Sequence, residues 1–163
     1  MREKSNTCCF TGHRDISACS YQELANRVEP LLQRLIKNGY EYFVCGGAIG
    51  FDTLCAKAVI EFKSTHPDVL LTMMLPCKNQ SELWNEKQKR EYEHTLSMAD
   101  EILYSSDTYT QGCMRERNMR LASACDVLIA YVGRQGSGAA QTVRMAHSLG
   151  KTVYNVYPKK EYV

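Results

Sequence analysis

The chain of 163 residues has no apolar run near the roughly 18 residues that a membrane-spanning helix requires. Its first residues lead into only a short apolar stretch, which is too short for a secretory signal. Linkers, internal repeats and low-complexity segments are also missing. These absences argue against membrane and fibrous classes, and they predict one cytoplasmic domain over residues 1–163 with no membrane partner.

An excess of charge of one sign is missing as well. The 20 Lys and Arg residues and the 18 Asp and Glu residues leave a formal net charge of +2. Proteins that follow a phosphate backbone usually carry a basic surface. The basic run at 87–90 lies among glutamates, and we interpret it as a solvated helix face. Composition therefore predicts that nucleic acid is not the partner.

The eight cysteines form no C-x-x-C pair, and the four histidines make no ligand pattern with them. Four of the cysteines stand in or beside apolar runs, namely Cys8, Cys9, Cys45 and Cys125. A free cysteine in such a place behaves as a small hydrophobic side chain. We therefore expect free thiols and no metal site.

Apolar strands alternate with helical patterns from end to end. Strands are predicted at 7–10, 42–45, 69–75, 101–104, 127–131 and 152–156, and helices at 21–38, 52–64, 81–97, 114–123 and 138–149. Pro30 is expected to kink the first helix or to begin a second segment. Continuous apolar strands between helices are typical of βαβ units. We predict an α/β fold, a Rossmann-like, doubly wound, mainly parallel sheet in three α/β/α layers.

Glycine-rich loops follow the first, second and fifth predicted strands. They are Thr11-Gly12-His13-Arg14, Gly46-Gly47-Ala48-Ile49-Gly50 and the stretch from Gly133 to Gly138. The loops at the carboxyl ends of parallel strands meet at one edge, where ligands bind near a switch in strand order. The helix after each loop presents free N–H groups to an anion. The loops therefore predict a phosphate-bearing ligand, although neither standard nucleotide fingerprint is present.

Several side chains near these loops have two interpretations. Asp52 caps the following helix or accepts a ribose hydroxyl, and capping is preferred because Asp is a common N-cap residue. His13 is a hydrogen-bonding loop residue or an acid–base group. Tyr109 stacks on a base or is an ordinary loop aromatic. Arg115 is interpreted as part of a salt-bridged surface helix.

Four stretches carry a resemblance to a known family. They are Thr11 to Arg14, Gly46 to Asp52, Met114 to Met119, and Ser137-Gly138-Ala139 with Thr142-Val143. The chain resembles the SLOG superfamily, which joins the DNA-processing proteins Smf/DprA to the LOG phosphoribohydrolases, and within it the bacterial YpsA-like branch. The resemblance implies a Rossmann-like fold and a site for NAD, ADP-ribose, a nucleoside monophosphate or another nucleotide. It also implies a binding role for Arg117.

The chain departs from this pattern in two places. Ser137-Gly138-Ala139 stands where the group usually has Gly-Gly-Thr. The LOG enzymes pair an arginine with a glutamate after the second glycine motif to cleave an N-glycosidic bond. Arg117 matches that arginine, but residues 137–149 contain no Asp or Glu. Asp52 and Glu116 are the candidates to replace the missing carboxylate.

Three functions follow as hypotheses. The preferred one is binding or sensing of a nucleotide or nucleotide-derived ligand, and the alternatives are a nucleotide-processing enzyme of the LOG type and single-stranded nucleic-acid binding as in DprA. Whether the chain is an enzyme stays open. The predicted ligand-binding residues are Thr11, Gly12, His13, Arg14, Gly46, Gly47, Ala48, Gly50, Asp52, Tyr109, Arg117, Asn118, Gly136, Ser137 and Gly138. Apolar spots such as Tyr157 and Tyr162 leave a homo-oligomer open.

Overall fold

Strands and helices alternate along the computed structural model, which describes residues 6–159. Tyr162 lies outside the described residues. The elements are β1 (Thr7–Gly12), α1 (Tyr21–Lys37), β2 (Tyr42–Cys45), α2 (Phe51–Thr65), β3 (Leu70–Cys77), α3 (Glu86–Met98), β4 (Glu101–Ser106), α4 (Cys113–Ala124), β5 (Val127–Tyr131), α5 (Gly138–Ser148) and β6 (Thr152–Asn155).

The six strands form one sheet in the order β4-β3-β2-β1-β5-β6, and each neighbouring pair is parallel. The chain builds outward from β1 to β4 and then returns to place β5 against the other side of β1. The strand order therefore switches between β1 and β5. Ligands of doubly wound sheets bind at the carboxyl ends of the strands beside such a switch.

Different helices cover the two faces of the sheet. On one face α1, α2 and α3 pack over a core that includes Phe10, Phe43 and Tyr131. On the other face α4 and α5 pack over Cys9 and Leu128. Helices cover both faces of the inner strands, which is why β1, β3 and β5 are buried along almost their whole length, while the edge strands β4 and β6 are more exposed. The predicted three-layer, Rossmann-like architecture is confirmed.

The cysteines are free thiols, and all but Cys19 are buried. Cys8, Cys9, Cys45 and Cys125 are fully buried in the core. They pack as small hydrophobic side chains. Within residues 6–159, no three His, Cys, Asp or Glu side chains are arranged to hold a metal ion.

Two predictions about the helices differ from the structure. α1 runs unbroken through Pro30, so of the two expected effects of this proline the start of a second segment is wrong. The buried side chains of Leu24, Val28 and Leu32 hold this helix on the sheet, while Pro30 faces solvent. α3 begins at Glu86 rather than at residue 81, because Asn85 caps it with a capping box. No helix among residues 6–159 is long and apolar enough to cross a membrane.

Candidate functional site

A cavity of about 440 Å³ opens at the carboxyl edge of the sheet, beside the switch in strand order. Its walls come from the loops after β1 and β5 and from the first parts of α2, α4 and α5. Its volume lies in the range of small-molecule sites. The lining residues are Thr11, Gly12, His13, Arg14, Asp15, Ala48, Asp52, Met114, Arg117, Asn118, Leu121, Arg134, Ser137, Gly138 and Ala139.

Most of the residues predicted from the sequence therefore come together in this cavity. Gly46, Gly47, Gly50, Gly136 and Tyr109 are the predicted residues that do not line it. The side chain of Tyr109 is 67% exposed. Asp52 and Glu116 are the two candidates to replace the missing carboxylate. Asp52 lies on the cavity wall, whereas Glu116 is exposed on α4 outside the cavity.

The structure adds five residues that the sequence prediction missed. They are Asp15, Met114, Leu121, Arg134 and Ala139. A signal existed for Arg134, because it is a cation inside a glycine-rich loop at the predicted edge. No comparable signal existed for Leu121, which belongs to the buried face of α4 and contributes apolar wall.

His13 connects the two loops that flank the switch in strand order. Its backbone N–H donates to the carbonyl of Tyr131 at 3.2 Å, and its Nε2 accepts from the N–H groups of Gly133 at 2.8 Å and Arg134 at 3.3 Å. Nε2 accepts only when it carries no proton. Burial, assisted by the charge of Arg134, also lowers the pKa of His13. Both effects favour the neutral ring, and they support its interpretation as a hydrogen-bonding loop residue.

The first turn of α5 forms one wall of the cavity. Oγ of Ser137 caps the helix by accepting a backbone N–H of that turn at 3.1 Å. The N–H groups of Gly138 and Ala139 precede it and have no acceptor inside the helix. Arg14 and Arg134 line the same cavity. An anion placed here meets the positive end of the helix dipole and two cations.

Arg117 and Asp52 place two buried charges on another wall, each only 5% exposed. Arg117 donates through Nη1 to the carbonyl of Gly46 and through Nε to Oδ1 of Asn118 at 2.8 Å. Burial raises the pKa of Asp52 to about 6, although the charge of Arg117 opposes the shift. Oδ1 of Asp52 accepts no hydrogen bond within the described part of the chain. A buried polar atom without a partner is costly, so this oxygen is available to a ligand donor.

The preferred capping role of Asp52 is wrong. The N-cap residue of α2 is Gly50, and Asp52 lies inside the helix. Oδ2 of Asp52 instead accepts the N–H of Ala48 at 3.1 Å and fixes the loop before the helix. The first N–H of α2, from Phe51, donates to the carbonyl of His13 at 3.2 Å. The starts of α2 and α5 are therefore each partly satisfied by the protein, and α5 places both Gly138 and Ala139 on the cavity wall.

Gly46 packs directly against the buried side chains of Arg117 and Asp52. A Cβ atom built on Gly46 would lie 2.6 Å from Nη1 of Arg117 and 3.0 Å from Oδ2 of Asp52. These distances are shorter than ordinary contacts, so a side chain here displaces the guanidinium. The glycine supports the cavity from behind its wall.

A family model and several curated proteins match the chain. The model of the YspA SLOG family matches residues 8–156. The SPbeta prophage-derived protein YoqJ of Bacillus subtilis is 24% identical over an alignment of 151 residues, and the match covers 83% of this chain and 88% of that protein. A UPF0398 protein of Bacillus pumilus is 32% identical over 120 residues, which are 72% of this chain and 64% of the relative.

Solved structures resemble the fold as well. DNA processing protein A (DprA) of Streptococcus pneumoniae superposes with a TM-score of 0.67 at 21% identity, and the match covers 94% of this chain and 50% of that chain. DprA of Helicobacter pylori, whose structure is described for its single-stranded DNA binding mode, gives a TM-score of 0.67 at 20% identity. That match covers 94% of this chain and 66% of the other. At these identities the likeness establishes the fold alone.

Proposed function

The chain belongs to the YspA SLOG family, and from this membership and the cavity we propose that it binds or senses a phosphate-bearing nucleotide or nucleotide-derived ligand. NAD, ADP-ribose and nucleoside monophosphates are the ligands proposed. The observation that carries the proposal is the pair of free N–H groups at Gly138 and Ala139 in the first turn of α5, which line a cavity of about 440 Å³ together with Arg14 and Arg134. Free N–H groups in the first turn of a helix, together with arginines, are a common phosphate site.

The other walls suit the rest of a nucleotide. In the proposed complex a phosphate accepts hydrogen bonds from the N–H groups of Gly138 and Ala139. A ribose hydroxyl donates to Oδ1 of Asp52, which otherwise has no partner. The partly exposed side chain of Met114 offers apolar surface to a base.

A thermal-shift screen against NAD, NADP, ADP-ribose, AMP, ADP, ATP and cyclic nucleotides tests the proposal. A ligand at 100 times its dissociation constant stabilises the protein by about 2.7 kcal/mol, which raises the midpoint by several degrees. Arg134→Ala is expected to reduce that shift. Arg115→Ala removes the same charge from an exposed position outside the cavity and is expected to preserve it. No shift with any of these ligands overturns the proposal.

Cleavage of an N-glycosidic bond is a second candidate, favoured by one specific observation. Asp52 places a carboxylate with a pKa of about 6 on the same cavity as Arg117, where the sequence pattern lacks its usual glutamate. A carboxyl with this pKa exchanges a proton readily near neutral pH. In the reaction water adds to the anomeric carbon and the base departs with a proton. Base release from AMP that is lost in Asp52→Asn, with AMP binding retained, supports this candidate.

Single-stranded nucleic-acid binding is a third candidate, because DprA of Helicobacter pylori shares the fold of this chain and its structure is described for its single-stranded DNA binding mode. The expectation against nucleic acid rests on the net charge of +2 alone and gains no support from this neighbour. Anisotropy of a labelled oligothymidine at 50 and 200 mM salt is the test. A steep loss of affinity with salt supports phosphate contacts, and no binding at low salt ends this candidate.

A further inference from the structure

A second cleft of about 220 Å³ shares Arg14 with the main cavity. It is bordered by the loop after β1 and by the first parts of α2 and α3. Arg14 is among the lining residues of both spaces, so they adjoin at this residue. We call this space the second cleft. None of the three proposed functions uses it.

Positive charge dominates the second cleft. Arg14, Lys57 and Lys87 line it, and Glu91 is the carboxylate among its lining residues. One oxygen of Glu91 lies 3.0 Å from Nζ of Lys57, and the other lies 3.9 Å from Nζ of Lys87. The side chains of the two lysines are 42% and 81% exposed. One carboxylate against three cations leaves a net positive charge that attracts an anion.

The second cleft also has an aromatic wall. Tyr21, at the start of α1, lines the second cleft, and its side chain is 51% exposed. An exposed ring next to cations is the arrangement that stacks on a nucleobase while the cations hold its phosphate. The cleft therefore combines the two features that recognise one nucleotide-sized unit.

We propose that the second cleft holds one half of a pyrophosphate-linked dinucleotide whose other half occupies the main cavity. This inference rests on the proposed function and narrows its ligand class. Arg14 stands where the two spaces meet, and its forked guanidinium suits the oxygens of the linking phosphates. Lys57 and Lys87 add charge on the far side, and Tyr21 stacks on the second base.

The sizes of the two spaces favour a dinucleotide. The main cavity of about 440 Å³ takes a mononucleotide by itself and leaves Lys57 and Lys87 sharing the one carboxylate of Glu91. The second cleft has half that volume, which suits one further unit and not a long polymer. A dinucleotide engages both spaces at once, so the second half adds affinity to the first.

Calorimetric titration of the full chain with AMP, NAD and an eight-residue oligothymidine tests the inference. NAD is expected to bind more tightly than AMP. Replacing both lysines (Lys57→Ala with Lys87→Ala) is expected to weaken NAD about tenfold and to leave AMP within about twofold. The matched control Lys89→Ala with Arg90→Ala removes two charges from α3 outside the cleft and is expected to change neither affinity.

Each contrary result has a distinct meaning. If AMP binds and NAD binds no more tightly, the second cleft is not a subsite, although nucleotide binding stands. The same holds if the higher affinity for NAD persists after both lysines are replaced. If neither AMP nor NAD binds, both proposals are wrong. If the double variant weakens only the oligothymidine, the cleft serves nucleic acid and the dinucleotide is overturned.

Discussion

At the scale of single residues, His13 and Asp52 line the cavity with pKa values shifted in opposite directions. Burial and the charge of Arg134 lower the pKa of His13 below its usual 6.5, and burial raises that of Asp52 from 3.8 to about 6. The fold thus favours the neutral form of each side chain. The sequence named both residues, but the N–H groups that His13 accepts come from a distant loop and were not predictable.

Asp52→Asn is expected to stabilise the ligand-free protein. Because the folded-state pKa lies above the unfolded value, the ionised side chain costs stability. This cost is absent below pH 3.8, grows as the pH rises and is complete above about pH 6. The gain is expected to reach at most about 3 kcal/mol at pH 7.5 and to fade towards pH 4. Urea unfolding at both pH values measures it.

Asp15→Asn is the control for this experiment. Asp15 lines the same cavity, but hydrogen bonds from Ser17 lower its pKa, so neutralising it brings no comparable gain. An Asp52→Asn variant that is no more stable than the wild type at pH 7.5 would contradict the assigned burial cost.

His13→Leu is expected to destabilise the protein by about 1–3 kcal/mol at pH 7.5, because the N–H groups of Gly133 and Arg134 lose their acceptor. The pKa of His13 is lowered on folding, so its contribution is present above pH 6.5 and declines as the pH falls through the folded value. The difference in thermal midpoint between the variant and the wild type should be smaller at pH 5. Thermal midpoints at the two pH values measure it, with exposed His94→Leu as control. A gap independent of pH contradicts the assignment.

At the scale of elements, the glycine-rich loops were predictable and the roles of their glycines were not. The sequence placed the loops at the right strand ends because glycine clusters follow apolar runs. The three-dimensional packing then divides the glycines between the cavity wall and supporting positions. The start of α3 was also predicted too early, at residue 81, because the capping box at Asn85 that begins the helix was not recognised.

Gly50→Ala is expected to destabilise the protein by about 2 kcal/mol or more, because Gly50 has φ +81° and a Cβ atom would collide with the carbonyl of Arg14. Gly136→Ala is the matched loop control. A Cβ atom there meets nothing within 4 Å, so the change should stay within about 0.5 kcal/mol. Chemical denaturation of both variants measures the difference. Equal stabilities would contradict the packing described at the start of α2.

At the scale of the whole molecule, the sequence predicted the architecture but not the strand order. Alternating strands and helices predict a doubly wound sheet from local patterns alone. The position of β5 beside β1 depends on pairing between distant segments, and no local signal encodes it. The rule that ligands bind at the carboxyl ends of parallel strands still located the cavity, because those strand ends can be predicted without the strand order. Wall residues such as Leu121 needed the full packing.

One cooperative unfolding transition is expected for residues 1–163, because a single sheet with covered faces joins all the described elements. Far-UV circular dichroism reports on the whole sheet and its helices. Fluorescence of Trp84, whose ring lies 5.1 Å from that of Tyr92, reports on α3. The two probes should give one midpoint. Separate midpoints would contradict a single domain.

Amide chemical-shift mapping of the ¹⁵N-labelled protein during titration with AMP, ADP-ribose and NAD tests nucleotide binding at the cavity most directly. With at least one ligand, saturable shifts are expected at the N–H groups of Gly138 and Ala139, with further shifts at Gly12 across the cavity. Arg134→Ala should weaken the same response. Saturable shifts centred away from these residues, or no shifts with any of the three ligands, would contradict the account.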